Sequence, residues 1–388
     1  MKDRTRIIHQ PPVLVPADNQ PLVAPIYQSV KFEIDGIDET LKALRGERPG
    51  FFYSRNANPT SRQLEEQLAA LQGREDCIVS GSGVAAISTC LLSLCRTGDH
   101  VLCFVETYGP TRYLIRRLLA KFGVEHTMLS IEDDAGIERV LSGRPTRLVF
   151  FESPTNPANK IADIDRICRA ARSAGALSVM DNTFGGFHNH GQYDVDVFLH
   201  SLTKYASGHG DVMGGAIIAS SKLIGSMRQD ASSLGPVLDP HAAFLILRGM
   251  KTYFLRYEAQ AASAMKIAHW LEAHPGVSLV RYPGLPGHPR HDLARRQMKD
   301  FGTIITLDVK GGMDAAGAFV EALELFAITA SLGSVESLVM PPQLTRPRDF
   351  SAGRLETSGI TASTVRLSIG AEDTDDLIAD LQQALSKI

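Results

Sequence analysis

Apolar and polar positions along this chain follow two periods. Between residues 76 and 219, short apolar runs recur at Asp76–Ser80, Val101–Val105, Val124–Leu129, Arg147–Phe151, Ala176–Met180, Val195–Leu199 and Gly214–Ala219. Compact apolar runs without alternation fit strands buried on both faces. The segments between them carry a helical period. Thr60 is expected to cap a helix, with Gln63 three residues on, Leu64, Leu68 and Leu71 on one face, and Gly73 as its stop. Gly81-Ser82-Gly83-Val84-Ala85-Ala86 opens a second helix that runs to about Cys95. Leu114, Leu118 and Phe122 in line predict a helix over Thr111–Phe122; Ile164, Ile167, Cys168 and Ala171 predict one over Asp163–Ala174. Short buried strands separated by amphipathic helices predict an α/β fold, a mostly parallel sheet with helices on both faces.

Past Pro236 the pattern changes. One long helical stretch is predicted from His241 to about His274, ending at Pro275-Gly276. Val277–Tyr282, Thr303–Val309 and Val365–Ile369 read as strands, and Asp314–Leu325 and Asp373–Ser386 as helices, which together make a smaller α+β unit. A small-residue loop spans Ala330–Leu338, and Pro341–Gly353 reads as a mobile loop at a site entrance. Before residue 60, Pro11, Pro12, Pro16, Pro21 and Pro25 argue against a long helix. The run Leu22-Val23-Ala24-Pro25-Ile26-Tyr27 is too apolar for a free tail, so this arm is expected to wrap over another subunit. The expected organisation is an arm (1–60), a large α/β domain (61–240) and a C-terminal α+β domain (241–388), with no internal repeat.

Composition narrows the function classes. A net charge of −3 gives no footprint for nucleic acid, and no apolar run approaches the roughly 20 residues that span a bilayer. Met1–Val15 lacks the apolar core of a secretory signal. The five cysteines (Cys77, Cys90, Cys95, Cys103, Cys168) show no metal-ligand spacing, and their apolar neighbours fit packed thiols in a reducing compartment, so a cytoplasmic location is expected. His188 with His190, and His288 with His291, lie in Gly/Pro-rich loops without cysteine partners, and no metal site is assigned to them.

The candidate chemistry centres on Lys204, set between the apolar run ending at Leu199 and a loop of glycines and hydroxyls. Burial disfavours the ammonium, and a neutral lysine is a nucleophile for carbonyl carbon. Ser201 and Thr203 flank it with hydroxyls suited to a phosphate. Asp181 ends an earlier strand, so acid and amine emerge at one sheet edge, where open α/β sheets bind ligands. A Schiff-base lysine with an acid for a pyridinium nitrogen is the pyridoxal phosphate arrangement. The helix start at Gly83 favours an anion, and Arg55, two residues after Tyr53, carries a fork suited to phosphate. Each has a plainer alternative: a solvated lysine, a tight Gly-Ser-Gly turn, a turn entering a helix.

Taken together, Tyr53-Ser54-Arg55, Asn58-Pro59-Thr60, Ser82–Ala86, Tyr108–Thr111, Glu152–Pro157, Asp181–Phe184, Ser201–Tyr205, Ser331–Leu338 and Arg366–Gly370 resemble the cystathionine synthase/lyase group of pyridoxal-phosphate enzymes, the Cys/Met metabolism family. The resemblance implies the aspartate-aminotransferase-like fold (PLP fold type I) and a homotetramer of two active dimers. It implies that Lys204 carries the cofactor, that Asp181 faces its pyridine nitrogen, and that Gly83, Val84, Ser201 and Thr203 cradle its phosphate. Tyr53 and Arg55 would reach the phosphate of the neighbouring subunit's cofactor. Tyr108 would stack on the ring and protonate a departing thiolate, Asn156 would sit near the phenolic oxygen and the substrate, and Arg366 with Ser331 would hold the substrate carboxylate. The implied activity is a C–S lyase, by β- or γ-elimination on cystathionine or a related sulfur amino acid, giving a 2-oxo acid, ammonia and a thiol. A γ-replacement enzyme, of the cystathionine γ-synthase or O-acylhomoserine sulfhydrylase kind, is the alternative; a non-catalytic binding protein on the same fold is a remote one. Ala330, Pro110 and Thr345-Arg346 depart from residues usual in the family. Ala330 offers no polar contact for the distal amino group of cystathionine.

Overall fold

The computed structural model describes residue 19, residues 21–345 and residues 357–388. Pro11, Pro12, Pro16, Arg346 and the rest of the expected entrance loop up to Gly353 lie outside the described residues. The first sheet has seven strands: β1 (Asp76–Ser80), β2 (His100–Phe104), β3 (Glu125–Leu129), β4 (Leu148–Glu152), β5 (Leu177–Asp181), β6 (Val197–Ser201) and β7 (Gly215–Ala219). Their order is β1-β7-β6-β5-β4-β2-β3. The five strands from β6 to β3 are parallel, and β7 runs antiparallel to both its neighbours. Every residue of β2, β4 and β7 is buried, which is why the sequence shows no alternation there. The ladders also run past the apolar residues at the carboxyl edge. Glu152, Asp181 and Ser201 close β4, β5 and β6 as strand residues; Glu152 and Ser201 lie just past the apolar runs read as strands, and Asp181 ends its strand as expected.

The second sheet holds β8 (Val277–Arg281), β9 (Ile304–Val309), β10 (Ala327–Ile328), β11 (Leu338–Met340) and β12 (Thr364–Ser368), in the order β10-β11-β12-β9-β8. Only β10 and β11 are parallel neighbours. Each sheet has its own core. Helix Tyr253–Glu272 passes from one to the other: Tyr253 and Tyr257 pack in the first, Ile267 and Leu271 in the second. Helix Pro240–Met250 packs on the first core through Ala243 and Ile246, so the change of core falls beyond residue 240.

Four local readings differ from expectation. The helix expected to start at Thr60 starts at Pro59, and Asn58 is its cap, accepting from the Thr60 amide at 2.9 Å. Proline suits a first position because no partner awaits its missing N–H. The Thr60 hydroxyl accepts instead from the Tyr27 amide at 3.0 Å, which pins the arm. The stretch His241–His274 is two helices, broken at Lys251 and Thr252. Gly249 there packs so closely that a Cβ would stand 2.3 Å from the Ser207 carbonyl oxygen. The Arg256 guanidinium then bonds the Tyr205 and Gly249 carbonyls at 3.0 and 2.9 Å, fixing the turn that follows Lys204. The helix expected over Thr111–Phe122 widens into a π turn over Leu114–Leu118. Its buried apolar residues are therefore Ile115 and Leu119, and Phe122 is exposed. Lastly, the arm holds an unforeseen helix, Ile37–Leu44, none of whose residues is buried.

Candidate functional site

A cavity of about 320 Å³ opens where β4, β5 and β6 end, between the two sheets' elements. Lys204, Asp181, Tyr108, Gly83, Val84, Ser201, Thr203, Asn156, Ser331 and Arg366 all line it. The structure thus gathers ten of the twelve residues singled out from the sequence. Tyr53 and Arg55 do not line it. Arg55 faces a second cavity of about 330 Å³ and lies 5.6 Å from the Tyr53 ring centre.

Lys204 sits in the tight turn after β6, whose carbonyl at Lys204 receives the Gly208 amide at 2.8 Å. Its Nζ donates to Ser331 Oγ at 2.7 Å. Burial first, and the charge of Arg366 second, draw the ammonium down to about 8. A substantial fraction of the amine is then neutral near physiological pH. Ser331 reaches it from an unusual backbone conformation, φ 95°, that a side chain rarely adopts. The loop is held against the Lys204 turn: the Gly333 amide bonds Ser368 Oγ at 3.0 Å, and a Cβ on Gly333 would meet the Tyr205 ring at 2.8 Å.

Arg366 comes from β12, across the cavity. It is 3 % exposed, yet among the described residues no carboxylate pairs with it. Its Nη1 donates to Asn156 Oδ1 at 2.9 Å and its Nη2 to the Ser331 carbonyl at 2.5 Å, while Nε is buried without a partner. Burial lowers this guanidinium to about 10. A buried cation with a free donor and no counter-ion is a receptor for an anionic ligand group.

Asp181 faces the cavity from β5. Its Oδ1 accepts from the Thr183 hydroxyl at 2.6 Å and the Thr183 amide at 3.1 Å. The same hydroxyl accepts from the Ser201 amide at 2.9 Å, joining β5 to β6. Glu152 of β4 is the register partner of Asp181, and its Oε1 accepts from the Tyr108 amide at 2.6 Å. Burial, then the neighbouring Asp181, pushes Glu152 well above the carboxylate range; burial raises Asp181 as well. Burial followed by these two carboxyls raises the Tyr108 phenol, so it stays protonated.

Helix Gly83–Leu94 aims its first turn into the cavity, capped by the Ser82 hydroxyl on the Ala85 amide at 3.1 Å. A Cβ on Gly83 would stand 2.9 Å from Ser201 Cβ, so only glycine lets this helix start lie against β6. First-turn amides have no partner within a helix and favour an anion. Thr203 Oγ1 accepts from the Gly214 amide at 3.1 Å across the same corner.

Glu152 and Thr183 escaped the reading of the sequence. Glu152 carried the signal used for Asp181, a carboxylate closing a buried apolar run. The histidine pairs act as hydrogen-bonding groups: His188 meets Tyr253 and Asp300, His190 meets Asn182, and His288 meets the Asn159 carbonyl. Among the described residues no disulfide joins the five cysteines, and no helix is long and apolar enough to cross a membrane.

The sequence profile described as Cys/Met metabolism PLP-dependent enzyme matches residues 5–386. The L-methionine gamma-lyase of Fusobacterium nucleatum subsp. polymorphum is 36% identical over 374 residues, covering 95% of this chain and 94% of that protein. The O-succinylhomoserine sulfhydrylase of Pseudomonas aeruginosa is 38% identical over 345 residues, covering 88% of this chain and 85% of that one. Among solved structures, cystathionine gamma synthase from Xanthomonas oryzae pv. oryzae superposes with a TM-score of 0.89 at 34% identity, covering 94% of this chain and 93% of that one.

Proposed function

The chain belongs to the Cys/Met metabolism family of pyridoxal-phosphate-dependent enzymes, and from that premise we propose that it cleaves a carbon–sulfur bond of a sulfur amino acid by elimination, releasing a 2-oxo acid, ammonia and a thiol. The observation that carries this reading is the double use of Ser331. Its hydroxyl takes the Lys204 amine, and its carbonyl takes an arginine that lacks a counter-ion. One residue thus spaces a nucleophilic amine from a carboxylate receptor, the two groups an α-amino acid needs.

Bound here, pyridoxal phosphate supplies an electron sink for charge that develops at the substrate α-carbon. The residues fit it. The glycine-dependent helix start at Gly83 and Val84, with the Ser201 and Thr203 hydroxyls, suits the phosphate. The Asp181 carboxylate suits the pyridine nitrogen, which it keeps cationic. Lys204 would hold the cofactor, and its amine would take the substrate Cα proton as general base. For γ-elimination the same amine moves a proton at Cβ. Tyr108 Oη, protonated and at the cavity mouth, donates to the departing thiolate. Arg366, aided by Asn156 and Ser331, takes the substrate carboxylate. Loss at Cγ is the form that the relatives named for γ chemistry favour.

Met213, Met340 and Ala330 also line the cavity, and among the described residues its acids are Glu152 and Asp181, which leaves none for a distal ammonium. That supports an uncharged sulfur substituent over cystathionine. Tyr53 and Arg55 serve a neighbouring subunit's site in this reading, within a homotetramer. The fully exposed Leu22 and the exposed Ile37 and Leu44 of the arm support such a contact. Buried free thiols support a reducing, cytoplasmic setting.

Sequence identity with a sulfhydrylase supports a second reading, γ-replacement. Product assays separate the two. The protein is incubated with methionine or cystathionine alone, and separately with O-succinylhomoserine and a thiol. Oxo acid from the first and no thioether from the second is the expected result; the reverse assigns replacement. Borohydride should fix the cofactor to wild-type protein at Lys204 and fail to do so in Lys204→Ala. A wild type that takes up no cofactor overturns both readings.

A further inference from the structure

We propose that the buried carboxyl of Glu152 is a positioning residue that ties the Tyr108 loop to the strand edge beside Asp181, and that it works in its neutral form. The inference rests on the site reading above and concerns a cavity-lining residue to which that reading gives no role. Its first support is placement. Glu152 is the last residue of β4, is 6 % exposed, and is the register partner of Asp181 on β5. Its second support is what the carboxyl holds. Oε1 accepts from the Tyr108 amide at 2.6 Å.

That amide carries a residue of the site. Tyr108 begins the short helix Gly109–Tyr113 without a side-chain cap, so the Glu152 bond sets where its ring projects. Removing the carboxyl frees the Tyr108 loop.

The neutral form follows from the neighbours. Two buried carboxyls side by side cannot both ionise, and among the described residues no cation pairs with Glu152. The cation nearest it in effect, Arg112, directs Nη1 to the Val105 and Thr107 carbonyls. Holding the proton on Glu152 leaves the charge on Asp181, where it faces the cavity. Burial and Asp181 both push Glu152 in that direction.

Glu152→Gln keeps the acceptor oxygen and imitates the protonated acid; Glu152→Ala removes the acceptor. Each apoprotein is titrated with pyridoxal phosphate, following the visible circular dichroism of the bound cofactor, with thermal unfolding as the check on folding. An unsatisfied buried donor costs about 1–3 kcal/mol, so Glu152→Ala should weaken cofactor binding roughly 10-fold or more, alter the dichroic band, and lower kcat/KM by about 100-fold. Glu152→Gln should restore most of the affinity and the wild-type band. Should the alanine variant not fold, Glu152→Asp, which is one methylene short of the Tyr108 amide, is expected to show the same losses. A glutamine variant as impaired as the alanine or aspartate variant, or a truncation indistinguishable from wild type, overturns the proposal. A wild type that binds no cofactor overturns the site reading instead.

Discussion

Arg281 and Arg366 sit on the same rung of the second sheet, on either side of Thr306, and the molecule treats them differently. Arg281 meets Asp308 through two bonds, at 2.9 and 2.8 Å, and the Thr364 hydroxyl completes that carboxylate at 2.6 Å. Arg366 meets a side-chain amide oxygen and a backbone carbonyl, and one of its donors meets nothing. A buried charge without its counter-ion costs several kcal/mol. The first arginine belongs to the fold alone. The second is the arginine we propose for the substrate carboxylate, whose charge would match it, and the cavity it borders also holds Lys204.

The largest effect should come from breaking the unmatched member. Arg366→Met should lower kcat/KM by roughly 10³-fold, mainly through KM, in line with truncating one partner of a buried charged contact. Its apoprotein should melt no lower than wild type, because a desolvated charge has been removed. Unchanged KM with a lower melting temperature would place Arg366 in the fold and erase the contrast. Arg281→Met should do the opposite. It leaves Asp308 charged and buried, so denaturant unfolding should show a loss of about 3 kcal/mol, with steady-state constants of the folded enzyme within about twofold. A large loss of activity without a loss of stability would count against it.

How far the sequence foretold this contrast depends on the distance over which each feature is set. The strands of the first sheet were legible because β2, β4 and β7 are buried throughout, and burial on both faces leaves an unbroken apolar run. Lys204 and Asp181 were legible as polar residues at the ends of such runs. Arg366 and Ser331 came only from resemblance. Their partners lie 210 and 35 positions away, and Lys204 lies 127 positions from Ser331. No local period encodes such pairs. The break at Lys251–Thr252 was missed because helical periodicity continues across it, and what stops the helix is Gly249 against the Ser207 carbonyl. The cap moved from Thr60 to Asn58 because tertiary contact with Tyr27 claims the Thr60 hydroxyl.

The smallest effect is the sharpest test of the contrast, because it reads charge alone. Burial and then Arg366 draw the Lys204 ammonium from 10.5 to about 8. Only the neutral amine attacks an aldehyde, so uptake of pyridoxal phosphate by the apoprotein should accelerate as pH rises through about 8 and then level. The folded value lies below the unfolded one. Between about 8 and 10.5 the unfolded chain therefore binds more protons at this residue, and the Lys204 contribution to stability rises with pH across that window. Arg366→Met removes the like charge, so the midpoint for uptake should move to higher pH. Arg281→Met should leave it in place, because Asp308 balances that guanidinium from within the sheet. Stopped-flow absorbance across a pH series measures both. Equal shifts in the two variants, or none in either, would mean that the unmatched arginine does not act on Lys204 through its charge.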